Sequence, residues 1–122
     1  MDDTLLTLTL NSLLPTVNHM YMNARRRRFR TAECREYQDT VTAMLKAVWQ
    51  DRPPFTGRAA VSVIFATNNK RCWDIDNRVK SIQDCLIMAG VIKDDSQIDF
   101  MQIERRYEKD ISTRLILKSI KD

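Results

Sequence analysis

The run Ala59 to Ala66 (AAVSVIFA) is apolar throughout save one serine, and its place in any fold is narrowly restricted. A stretch of strand length with no polar alternation is expected of a central strand covered on both faces. Thr4 to Leu10 alternates instead, with Leu6, Leu8 and Leu10 on one side and Thr7 and Thr9 on the other, the pattern of a half-buried strand. Thr31 can cap a helix with Glu33 in its first turn, and Cys34, Tyr37, Val41, Leu45 and Val48 then recur as one apolar stripe, with Trp49 in the core at its end. Pro53 and Pro54 stop that helix. A second helix begins near Asp76 or Asn77, buries Val79, Ile82, Leu86 and Ala89, and ends where Gly90 supplies a left-handed cap. Ile98 to Tyr107 and Ile111 to Ile120 read as a hairpin of two strands joined by Glu108-Lys109-Asp110. The order is β-α-β-α-β-β, an α/β (α+β) fold with two helices on a mixed sheet. At 122 residues the chain supports one core, so residues 1–122 are expected to form a single domain.

Several function classes are excluded early. The three cysteines, Cys34, Cys72 and Cys85, are too widely spaced for a redox pair or a zinc knuckle, and are expected to be reduced. The single histidine, His19, leaves no site that needs two imidazoles. The opening MDDTLL is acidic where a secretory signal needs positive charge, and no apolar run approaches the ~18 residues of a membrane span. A cytoplasmic protein with no membrane association is expected.

The charge pattern points to a partner. The net charge is +4, and aspartate outnumbers glutamate twelve to four. Glutamate is the better helix former, so the excess aspartate belongs at caps, loops and sites. Asp74-Ile75-Asp76-Asn77 stands at the exit of the expected central strand, Lys80 follows, and Asp94-Asp95 comes about twenty residues on. In open α/β sheets the carboxyl end of a strand beside a helix N-terminus is where ligands bind. Alternate residues of extended chain point the same way, so Asp74 and Asp76 can face one site. Three gathered carboxylates repel unless a cation sits among them, and hard oxygen donors suit Mg²⁺ or Mn²⁺. The same residues also have a plain structural reading. Asp76 or Asn77 can cap the helix, Asp94-Asp95 can be a solvated turn, and Lys80 can be an i,i+4 partner of Asp76. Asp84, Asp99 and Asp110 read as surface or strand-end positions.

Asn11 to Arg30 shows no clean period and reads as one long loop, a length generally functional or disordered. It carries Arg25, Arg26, Arg27, Arg28 and Arg30, while Lys70 and Arg71 precede the aspartates. Arginine contacts to phosphate would grip nucleic acid without reading sequence, and Tyr21 and Phe29 could stack on bases or anchor the loop. The residues alone therefore leave three readings open. They are a structure-selective endonuclease, a non-catalytic module for branched or single-stranded DNA, and a small-molecule phosphohydrolase, which lacks the usual glycine-rich phosphate loop.

The combination Asp74-Ile-Asp-Asn77, Lys80, Ala89-Gly90-Val91-Ile92, Asp94-Asp95-Ser96-Gln97 and a strand from Ile98 resembles the RusA family of Holliday junction resolvases. The similarity extends to Pro15, Asn18 and Tyr21. It implies a homodimeric, divalent-metal-dependent endonuclease that nicks four-way junction DNA symmetrically in recombination and repair, with no organic cofactor. By position it implies Asp74, Asp76 and Asp95 as ligands of Mg²⁺ or Mn²⁺, Lys80 as the essential lysine, and Asp94 as the less critical acid. Asn18, Tyr21, Arg25, Arg26, Arg27, Arg28, Lys70 and Arg71 complete the expected DNA-binding set. The chain departs from the family pattern in placing Cys72 and Trp73 directly before Asp74, where basic residues are common.

Overall fold

The computed structural model describes residues 3–11, 21–24, 27–30, 32–68 and 79–121. Strand β1 spans Thr4–Leu10, β2 Tyr21–Ala24 and β3 Arg27–Arg30; helix α1 spans Ala32–Trp49, β4 Ala59–Thr67 and α2 Val79–Met88; β5 spans Ile98–Tyr107 and β6 Ser112–Ser119. Strands β1, β6, β4 and β5 form a four-stranded mixed sheet in that order. β6 is antiparallel to both neighbours, whereas β4 and β5 run parallel and so need the crossover that α2 supplies.

β5 and β6 are not the expected hairpin, because β4 lies between them. The short link instead passes over the end of β4, where the Glu108 N–H donates to the Thr67 carbonyl at 3.0 Å. The Asn68 amide donates to the Lys109 carbonyl at 3.3 Å, and Arg114 grips both carboxylate oxygens of Glu108 at 2.8 and 2.9 Å. The most apolar strand has taken the centre, paired on both edges.

Nor is β4 covered equally on both faces. Val61, Val63 and Phe65 are no more than 1% exposed, Leu6, Leu8, Leu115 and Leu117 are buried beside them, and against these pack Val41, Leu45 and Trp49 of α1 and Ile82 and Leu86 of α2. Ile64 on the other face, opposite Arg114 in register, is only half-buried, as is Ser62 opposite Ile116. Burying one face is enough for a sheet that two helices cover on a single side.

The chain 11–30 is not wholly loop. β2 and β3 pair antiparallel as a two-stranded sheet, Tyr21 opposite Arg30 and Asn23 opposite Arg28. No glycine or Asn-Gly marks the turn, and a strand of arginines has no apolar alternation to reveal it. In α1 the buried face runs through Gln38, Val41, Thr42, Leu45 and Trp49, while Val48 is 40% exposed, so the stripe closes on the tryptophan. The helix ends before the prolines, at Gln50 and Asp51, whose φ of 57° and 55° are left-handed. The Arg52 guanidinium lies 3.8 Å over the Trp49 ring. The Thr31 cap and the expected start of the second helix at Asp76 or Asn77 fall outside the described residues.

α2 closes as the sequence predicts. Gly90 has φ +74°, and the Gly90 and Val91 N–H groups donate to Ile87 and Leu86 at 3.0 Å. A Cβ there would meet nothing within 4 Å, so only backbone strain opposes a side chain. Gly90→Ala is therefore expected to cost about 1–2 kcal/mol, read as a lower urea midpoint with unchanged slope. Beyond this turn Phe55 pairs with Ile92 in an isolated bridge, and the chain reaches its acidic loop.

Candidate functional site

Asp94 begins that loop as the N-cap of a 3₁₀ turn over Asp95–Gln97. Its carboxylate accepts from the Ser96 N–H at 3.3 Å and from the Ser96 hydroxyl, and the hydroxyl bond is the main reason its pKa lies below the usual carboxylate value. Asp94 is thus committed to its own loop. Asp95, the next residue, presents its carboxylate outward at 41% exposure.

Lys80 meets it. Lys80 is the second described residue of α2, with its ammonium 3.9 Å from Asp95 Oδ2 and 3.4 Å from Asp84 Oδ1. Exposed ion pairs of this kind contribute little to stability. The arrangement therefore earns little as structure, and it leaves a cation between two acidic side chains on an open surface.

The loop belongs to the amino end of the β4–β5 pair, since Ile98 stands opposite Ala59. Arg58 fixes it there. Its guanidinium donates to the Ser96 carbonyl at 2.7 Å and to both oxygens of Asp99, a bond that lowers the Asp99 pKa. Asp95 thus stands near the amino end of the β4–β5 pair, whereas Asp74 and Asp76, expected at the exit of β4, lie outside the described residues. Lys80, the partner of Asp95, is carried by α2, which follows β4 in the chain and ends at Met88, before the Ile92 bridge to Phe55.

Of the expected site residues, Lys80 and Asp95 are brought together. Asp74, Asp76, Asn18, Arg25, Arg26, Lys70 and Arg71 lie outside the described residues. Tyr21 opens β2, and Arg27 and Arg28 begin β3. Among the described residues no three acidic, histidine or cysteine side chains gather as a metal site. From the sequence, Asp84 reads as a surface position and Gln97 stands only in the family pattern, neither with a role at this site. The i,i+4 spacing of Lys80 and Asp84 was a readable signal, as was the capping-box spacing of Asp94 and Gln97. Cys85 is a buried free thiol, as expected.

Fold and site together define a class: a small α+β domain with a mixed sheet, presenting an exposed lysine between carboxylates beside its crossover helix. The family model described as Endodeoxyribonuclease RusA matches residues 12–118, and the chain belongs to that family. It is also similar to the Crossover junction endodeoxyribonuclease RusA of Aquifex aeolicus (strain VF5), with 36% identity over 69 residues. That match covers 52% of this chain and 55% of the relative, so the chain spans about half the length of the relative it matches.

Proposed function

We propose that this protein is a divalent-metal-dependent endodeoxyribonuclease that resolves four-way DNA junctions in recombination and repair, working in the cytoplasm. The observation that carries the reading is the approach of Lys80 to Asp95 across fifteen positions of sequence, in a chain of this family. Asp76 is four residues before Lys80 and Asp74 six, so their Cα atoms are tethered within roughly 14 and 21 Å of that lysine. Exposed carboxylate oxygens are the donors that Mg²⁺ or Mn²⁺ prefers, and Asp95 fits that role. Asp74, Asp76 and Asp95 would hold the ion. When bound, such an ion lowers the pKa of water and stabilises charge on a phosphoryl oxygen.

The chain's own residues do the rest. Lys80, lying between Asp84 and Asp95, places an ammonium where a scissile phosphate can exchange for a carboxylate partner. Arg25 to Arg28, Lys70 and Arg71 would carry the DNA arms through phosphate contacts, and Asn18 and Tyr21 would complete the DNA-binding set. A two-fold homodimer belongs to the proposal, because a junction close to two-fold symmetric is cut symmetrically by two equivalent sites.

The test is a synthetic four-way junction incubated with the protein in Mg²⁺, Mn²⁺ or Ca²⁺. Paired nicks that need Mg²⁺ or Mn²⁺ and vanish in EDTA are expected. Junction binding that persists in EDTA without any cleavage in Mn²⁺ would overturn the enzyme reading in favour of a binding module.

A further inference from the structure

Gln97 is 8% exposed, and its side-chain amide is used to full capacity. Oε1 accepts from the Lys93 N–H at 2.8 Å and the Asp94 N–H at 3.0 Å. Nε2 donates to the Phe55 carbonyl at 2.7 Å and to the Gly57 carbonyl at 3.0 Å. Those are the two acceptor and two donor positions of an amide. Turned over, the same group would set oxygen against carbonyls and NH₂ against N–H groups, so its neighbours allow one orientation.

A capping box accounts for the bond to Asp94. It does not account for the donated bonds, which reach forty and forty-two positions back to the chain entering β4. The clamp thus ties the loop bearing Asp95 to the segment before the central strand. Asp95 and Lys80 cannot hold each other in place, since both are exposed and their contact is 3.9 Å long. What sets their separation is the backbone on either side, and in the loop that backbone is held by Gln97 from within and by Arg58 at the Ser96 carbonyl.

We infer that Gln97 is the positioning residue of this site: it touches no substrate, and it holds Asp95 where the reaction proposed above requires it. The inference rests on that reading of Asp95. Residues that orient metal ligands from behind typically change metal affinity or activity by roughly 10- to 100-fold when lost.

Three variants test it. Gln97→Leu removes all four bonds at similar volume. Gln97→Glu keeps the length but sets a carboxylate oxygen against two carbonyls. Gln97→Asn is one methylene short, so it reaches only one of the two segments and is the mildest should the others not fold. Thermal unfolding, Mn²⁺ binding by calorimetry and steady-state nicking would be measured well below each Tm. Folded variants are expected to bind Mn²⁺ roughly tenfold or more weakly and to lose kcat by the same order, with KM for the junction within about twofold. A folded variant with wild-type Mn²⁺ affinity and kcat overturns the inference, however far its Tm falls. A wild-type protein that binds Mn²⁺ without nicking refutes the endonuclease proposal, and Mn²⁺ affinity then decides the role of Gln97. One that binds no Mn²⁺ removes both.

Discussion

Asp95→Asn is expected to slow junction nicking by roughly a hundredfold or more while junction binding, measured in Ca²⁺, stays within about twofold. The substitution is nearly isosteric and removes one charge. Asp95 is 41% exposed and is not part of the buried core, so the fold has little reason to change. Lys80 keeps Asp84 at 3.4 Å and remains available to a phosphate. Lost activity with retained binding would thus locate the defect in the chemistry rather than in the DNA grip. Its neighbour supplies the control. Asp94 spends its carboxylate on the Ser96 N–H and hydroxyl, and asparagine is an equally good N-cap. Asp94→Asn should therefore leave single-turnover rates within a few fold. Equal losses at both positions would mean that general negative charge matters, not the geometry at Asp95.

That contrast between adjacent aspartates was only half legible in the sequence. Two acids in a row announce a turn or a site without saying which carboxylate is free. The answer came from Ser96 and Gln97, which complete a capping box around Asp94 and leave Asp95 facing outward. Lys80 is readable as a candidate, but its partner one turn on, Asp84, reads as a helix-surface position, since i,i+4 pairs are commonplace on helices. Arg58 carried no signal at all. Its role exists only because β5 starts opposite Ala59, which puts Asp99 and the Ser96 carbonyl within its reach.

The fold divides along the same line. Features written in local chemistry were readable, such as the alternation in β1, the stripe of α2 and the left-handed turn at Gly90. Pairing was not. β5 and β6 are adjacent in sequence and separated by a short polar link, yet β4 comes between them. Hairpin signals describe a link, whereas the neighbour of a strand is decided by which strand gains most from burial on both edges. The β2–β3 pair escaped notice for the opposite reason: Arg27 to Arg30 carry strand backbone without any of the usual side-chain pattern.

Phe65→Ala is expected to remove about 3–5 kcal/mol of folding stability. Phe65 is fully buried on the helix-covered face of β4, in register with Thr113 of β6 and Arg105 of β5. Deleting its ring opens a cavity in the middle of the sheet, where paired strands on both edges prevent collapse. A small domain holds roughly 5–15 kcal/mol in total, so the variant would be marginal and its Tm lower by roughly 10–20 °C. Phe65→Leu, which keeps most of the volume, should cost no more than about 1.5 kcal/mol. The informative comparison is one residue earlier. Ile64 points to the opposite, half-covered face, so Ile64→Ala should cost well under half as much as Phe65→Ala in the same urea titration. Equal costs at the two positions would mean that both faces of the sheet are packed, and a one-sided core could not then explain why β4 tolerates Ser62 and Ile64 at the water's edge.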